Sequence, residues 1–87
     1  MSKEELDLLS VKVRLFAYSK EIVGKNEIIM SLARETTVGD LKKKILEMHP
    51  ALKKITFVVA VNHKVTDDSV VINYLDELAV LPPVSGG

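Results

Sequence analysis

The 87-residue chain has no cysteine and no tryptophan, four aromatic residues in all, four glycines and three prolines. Without cysteine there is no disulfide, no thiolate nucleophile and no zinc–thiolate site. A fold that does without disulfides suits a reducing compartment, and the expected location is the cytoplasm. No stretch approaches the ~18 consecutive apolar residues of a membrane span. Residues 1–10 (MSKEELDLLS) are acidic and too weakly apolar for a signal peptide. An excess of either charge is missing too. Twelve Lys and Arg balance twelve Asp and Glu, so no global field draws the chain to nucleic acid or membrane. The basic clusters Lys42-Lys43-Lys44 and Lys53-Lys54 have no aromatics among them to stack on bases, and they read as solvated faces.

What is present is apolar mass: 47% of residues are hydrophobic, enough for one domain with a small core of its own. Residues 1–10 are expected to form an N-terminal extension that carries no turn chemistry and need not be ordered. Val11-Lys12-Val13-Arg14-Leu15 alternates apolar and charged residues, the pattern of a half-buried strand, with Phe16 falling on its outward side. A turn over Tyr18–Gly24 leads to a second strand, Glu27–Leu32, and the pair reads as an antiparallel hairpin.

Thr37-Val38-Gly39-Asp40 then has the form of a helix start. Thr37 is placed to cap a free N–H, and Asp40 sits in the positive first turn. Val38, Leu41, Ile45 and Met48 make one apolar stripe, and Pro50 stops the helix. Ile55–Val61 is a β-branched run whose continuous apolarity implies burial on both faces or a face kept for a partner. Asn62-His63-Lys64 turns the chain, Val65–Ile72 supplies a short edge piece, and Leu78–Leu81 is the last strand. Strand, strand, helix, strand, short strand, strand predicts an α+β fold. The expected form is a ubiquitin-like β-grasp, a mixed four- to five-stranded sheet with one main helix packed on one face. The domain is expected to span residues 11–81, with 82–87 as a flexible tail.

No constellation of catalytic side chains emerges from the sequence. His49 and His63 have no Asp, Glu or His at metal-ligand spacing, and neither has a named partner to make it an acid, a base or a ligand. The serines lack a nucleophile context, and the glycines are too scattered to cradle a phosphate. Asp67-Asp68 and Asp76-Glu77 are adjacent acids in turns, where turn formation and solvation account for them. The chain therefore reads as a carrier or binding module and not as an enzyme on its own, with no bound cofactor and no metal.

Attention falls on the last residues, Gly86-Gly87. A Gly-Gly end arises by chance in roughly 0.5% of chains at ordinary glycine usage. A glycine carboxylate has no flanking side chain, so it can be threaded into a narrow site and activated as a mixed anhydride with AMP. A sulfur donor would then convert it to a thiocarboxylate, or a cysteine would take it as a thioester. Pro82-Pro83 ends strand pairing and biases the tail towards extension, lowering the entropy lost on threading. Six residues reach up to ~20 Å, enough to enter a partner's buried pocket.

Leu15-Phe16-Ala17, Val59-Ala60-Val61-Asn62 and, above all, Asp76-Glu77-Leu78-Ala79-Val80-Leu81-Pro82-Pro83-Val84-Ser85-Gly86-Gly87 closely resemble the small subunits of molybdopterin synthase. These are sulfur carriers of molybdenum cofactor biosynthesis, and the likeness covers residues 11–87. It implies a thiocarboxylate on Gly87, made by an E1-like enzyme that uses ATP to adenylate the terminus and then sulfurates it. It implies insertion of Pro82, Pro83, Val84, Ser85 and Gly86 into the large catalytic subunit of a heterotetramer. There, two sulfur transfers to cyclic pyranopterin monophosphate would build the dithiolene of molybdopterin. Phe16 and Leu81 are the apolar positions it assigns to the partner interface, against ordinary packing as the plainer account. Two positions depart from the family pattern: Leu75 stands where glycine is common before the Asp-Glu pair, and Lys20 where arginine is frequent. A ubiquitin-like protein modifier, and a thiamin- or tRNA-type sulfur carrier, are the alternatives that a Gly-Gly end leaves open.

Overall fold

The computed structural model describes residues 8–83. Val84, Ser85, Gly86 and Gly87, with residues 1–7, lie outside the described residues. In chain order the elements are β1 (Leu8–Leu15), α1 (Ala17–Val23), β2 (Glu27–Ala33), α2 (Val38–Met48), a 3₁₀ turn (Pro50–Lys54), β3 (Val58–Val61), β4 (Lys64–Val65) and β5 (Leu78–Leu81). The five strands form one sheet in the order β2-β1-β5-β3-β4. β5 runs parallel to β1, and every other pair is antiparallel. This is the expected β-grasp, a mixed sheet carrying one main helix, with the short α1 added to it.

Period-two burial sets the sheet's faces. Leu9, Val11, Val13 and Leu15 on β1, with Ile28, Met30 and Leu32 on β2, turn inward. They meet Val38, Leu41 and Ile45 of α2 in one apolar cluster with Val59, Val61, Leu78 and Val80. α2 starts as its sequence requires. Asp40 N–H donates to Thr37 Oγ1 and Thr37 N–H donates to Asp40 Oδ2, both at 3.2 Å, so two of the free N–H groups at the helix start are satisfied reciprocally. Met48, expected on the buried stripe, is instead 46% exposed. It lies in the last turn, at the end of the helix, where His49 breaks the helical backbone.

Three other expectations are corrected. β1 begins at Leu8 and not at Val11, because Leu8, Leu9 and Ser10 pair with Ala33, Leu32 and Ser31, so the N-terminal extension gives up its last three residues to the sheet. The segment expected as a turn over Tyr18–Gly24 is instead the helix α1, Ala17–Val23. Gly24 closes α1 with φ 79° while its N–H donates to Lys20 O at 2.8 Å, the left-handed cap that glycine adopts without strain. β3 is shorter than the apolar run that contains it. Its pairing opens at Val58 opposite Leu81, and beyond Leu81 the neighbouring chain is Pro82, which has no N–H to give. Within β3, Val59, Ala60 and Val61 are buried and Val58 is half-buried, so burial on both faces accounts for most of its unbroken apolarity.

Candidate functional site

The sheet holds its last strand at its centre. Leu78 and Val80 are fully buried on the core face, zipped to Val13 and Leu15 on one side and to Val61 and Val59 on the other. Ala79 and Leu81 therefore point to the opposite face. Pro82 and Pro83 follow, exposed, where the ladder ends. A chain leaving from a central strand is anchored at its root by two ladders at once.

Phe16 stands beside that exit. It ends the β1 segment in extended backbone (φ −130°, ψ 158°), and Ala17, at φ 53°, turns the chain sharply into α1. Phe16 is 42% exposed. Ser19 fixes this corner: its hydroxyl donates to Phe16 O at 2.6 Å and accepts from Phe16 N–H at 3.2 Å. Ser19 is the single polar residue buried as a whole among the described residues, and no motif or spacing in the sequence marks it.

Two shallow hollows meet at Phe16 and Leu81. One, of about 270 Å³, is walled by Tyr18, Phe57, Pro82 and Pro83 as well. The other, of about 220 Å³, adds Arg14, Ala79, His63 and Glu77. Phe16 and Leu81 are thus brought together at the root of the tail and form a mostly apolar surface with a charged margin. An apolar surface of this kind, rimmed by polar groups, is the usual form of a docking face. His63 Nε2 lies 3.0 Å from Glu77 Oε2, an exposed pair at that margin. Among the described residues no three His, Cys, Asp or Glu side chains gather in a group that could hold a metal, and no helix is long and apolar enough to cross a membrane.

The approach to β5 is built by residues that the sequence motifs contain. Asn62 and His63 both have positive φ (52° and 71°), the backbone of a type I′ two-residue hairpin between β3 and β4. Asn62 Nδ2 donates to Asp76 Oδ1 at 2.9 Å, and Asn62 Oδ1 accepts from Glu77 N–H at 2.9 Å. Asp76 Oδ2 in turn accepts from Asn73 N–H at 2.8 Å. Leu75, where the family pattern often has glycine, is not among the residues with positive φ, so the turn forms here without glycine's freedom. Leu75 is 76% exposed. Lys20 is exposed on α1.

Comparison with known proteins supplies the context for this site. The model of the ThiS family matches residues 13–87. The molybdopterin synthase sulfur carrier subunit of Caenorhabditis elegans is 36% identical over 84 residues, covering 92% of this chain and all of the relative. The putative molybdopterin converting factor subunit 1 of Pyrococcus furiosus superposes with a TM-score of 0.80 at 26% identity, covering 87% of this chain and 99% of that one. Small archaeal modifier protein 1 of Haloferax volcanii superposes at 0.77, also at 26% identity, with the same coverage. With a ubiquitin-like β-grasp whose central last strand leads out beside Phe16 and Leu81, the chain belongs to the ThiS family, alongside the molybdopterin synthase sulfur carrier subunits.

Proposed function

We propose that the chain is the sulfur-donating small subunit of a molybdopterin synthase. The observation that carries the reading is the family match through residue 87, onto a tail rooted in the central strand β5. The Gly87 carboxylate attacks the α-phosphate of ATP in the active site of an E1-like enzyme, forming an acyl adenylate and releasing pyrophosphate. Hydrosulfide from the sulfur donor then attacks the acyl carbon, and AMP leaves to give the thiocarboxylate. Pro82–Gly86 threads into the large catalytic subunit, which carries out the chemistry. Two such transfers to cyclic pyranopterin monophosphate make the dithiolene, and each returns Gly87 to a carboxylate. This chain contributes delivery: a root held in the central strand β5, the terminal residues that carry the sulfur, and the Phe16–Leu81 surface that docks beside the channel.

The structural likeness to small archaeal modifier protein 1 supports a second reading, attachment of Gly87 to lysines of other proteins. Intact mass separates the two. After incubation with ATP, the cognate activating enzyme and a sulfur source, sulfur carriage raises the mass by about 16 Da, oxygen replaced by sulfur, whereas a modifier appears as isopeptide adducts. An unchanged mass with an active enzyme removes both readings. Deletion of Gly87 should abolish molybdopterin formation while leaving binding to the large subunit largely intact. Molybdopterin made with the truncated chain would sink the carrier reading.

A further inference from the structure

The hollow of about 220 Å³ lies on the sheet face turned away from the core, and two alanines form its floor. Ala60 of β3 and Ala79 of β5 are cross-strand partners, so two small side chains side by side leave the depression. Phe16 and Leu81 wall it at the root of the tail. Arg14 comes in from β1 on one side and His63 from the β3–β4 hairpin on the other. Arg14 precedes Phe16 by two residues, which puts both side chains on the same face. It is exposed, opposite Ala79 on β5 and Glu27 on β2.

The acids around Arg14 are engaged elsewhere. Glu27 lies 3.7 Å from the Lys12 ammonium, and Glu77 Oε2 lies 3.0 Å from His63 Nε2. The Asp76 carboxylate accepts from Asn62 Nδ2 and Asn73 N–H. Among the described residues the Arg14 guanidinium has no hydrogen-bond or ion-pair partner. In water that is harmless; under a docked protein it is not. A partner seated on Phe16 and Leu81 covers two walls of the hollow and so takes water from Arg14. A guanidinium stranded in this way is costly, and arginine cannot escape by shedding its proton. Carbonyl oxygens can satisfy its N–H groups. Only a carboxylate also cancels the charge, and it matches the planar fork with two parallel bonds.

We infer that the large catalytic subunit seats an apolar side chain on the Ala60–Ala79 floor and, beside it, an Asp or Glu on Arg14, which makes Arg14 a specificity residue for that partner. This rests on the sulfur-carrier reading proposed above. Two features single out this occupant: the hollow is continuous with the Phe16–Leu81 surface on which the large subunit docks, and its unmatched charge is positive.

Titration calorimetry of the full chain against the large subunit tests this, with denaturation midpoints to check that each variant is folded. Arg14→Leu, which keeps an apolar contact and removes the charge, should weaken binding at least about tenfold. Arg14→Lys should weaken it less, and Arg14→Glu more than leucine does. The Arg14→Leu loss should persist at about 0.5 M salt, because a covered pair is screened far less than an exposed one. Ala79→Leu, which fills the floor, should weaken binding by about tenfold as well. Glu27→Gln should stay within about threefold of the parent, as an exposed pair with Lys12 contributes little. Undiminished binding by Arg14→Leu or Ala79→Leu overturns the inference, and so does an Arg14→Leu loss that vanishes at high salt. A Glu27→Gln loss equal to that of Arg14→Leu also overturns it, because Glu27 is then the partner of Arg14. A parent chain that does not bind the large subunit sinks the sulfur-carrier reading and the inference together, whereas a parent that binds no better than Arg14→Leu sinks the inference alone.

Discussion

Asn62 and Asp76 are joined at 2.9 Å across a gap of fourteen residues, from the β3–β4 hairpin to the turn that feeds β5. With the Glu77 N–H to Asn62 Oδ1 bond and the main-chain bond from Asn62 N–H to Glu77 O at 2.8 Å, one side chain ties the hairpin to the start of the strand that carries the tail. The motif residues Asn62 and Asp76-Glu77 therefore have a structural reason to occur together. They fix where β5 enters the sheet, and so where Leu81 leaves it.

Replacing Asn62 by glycine keeps the left-handed backbone and removes only the side-chain clamp. At about 0.5–1.5 kcal/mol for each hydrogen bond, Asn62→Gly should lower stability by about 1–2 kcal/mol, read from the midpoint of urea unfolding. Asn62→Ala should lose somewhat more, because alanine also resists the positive φ. Equal midpoints for the parent and Asn62→Gly would show that the clamp contributes nothing to folding.

A second expectation concerns acid. The Asp40 carboxylate accepts from Thr37 N–H, and that bond, aided by the Thr37 hydroxyl and nearby Lys43, holds its pKa below the ordinary 3.8. The unfolded chain therefore binds this proton more readily than the folded one, and stability rises with pH across the window. The contribution is complete above the unfolded value and is lost as pH falls below it through the folded one. The stability gap between the parent and Asp40→Asn should be wider at about pH 6 than at about pH 2.5. Urea midpoints at both values test this, and a gap that does not change with pH would remove Asp40 as the titrating cap.

The parts that could be read from the chain were those whose cause is local. Thr37, Asp40 and the Val38–Leu41–Ile45 stripe determine α2 within a dozen residues, and Pro82 ends β5 by lacking an N–H. The parts that could not be read depend on distant neighbours. Leu8–Ser10 become strand because Ser31–Ala33 are free to pair with them, and β3 stops where β5 stops. α1 was missed because seven residues give too little periodicity, although Gly24 after Glu21-Ile22-Val23 is the cap that marks its end. At the site, Phe16 and Leu81 were named from outward parity and family likeness. Nothing local announced that Ser19 holds Phe16 in place. Val84–Gly87, on which the chemistry was expected, lie outside the described residues.

That Phe16–Ser19 corner separates docking from packing. If Phe16 is part of the docking surface, Phe16→Ala should weaken binding to the large subunit about 10- to 100-fold, the range of an aromatic anchor at an interface. Because the ring is largely outside the core, the unfolding midpoint should change little. Ser19→Ala should do the reverse. It leaves the Phe16 N–H without a partner and Phe16 O with only the longer bond from Lys20 N–H, at 3.4 Å, and should cost about 1–2 kcal/mol of stability. Binding should then weaken only as far as the corner loosens. Titration calorimetry with the large subunit, run beside urea unfolding of each variant, reads both quantities. Undiminished binding by Phe16→Ala would return Phe16 to ordinary packing and leave Leu81 and the tail to carry the interface.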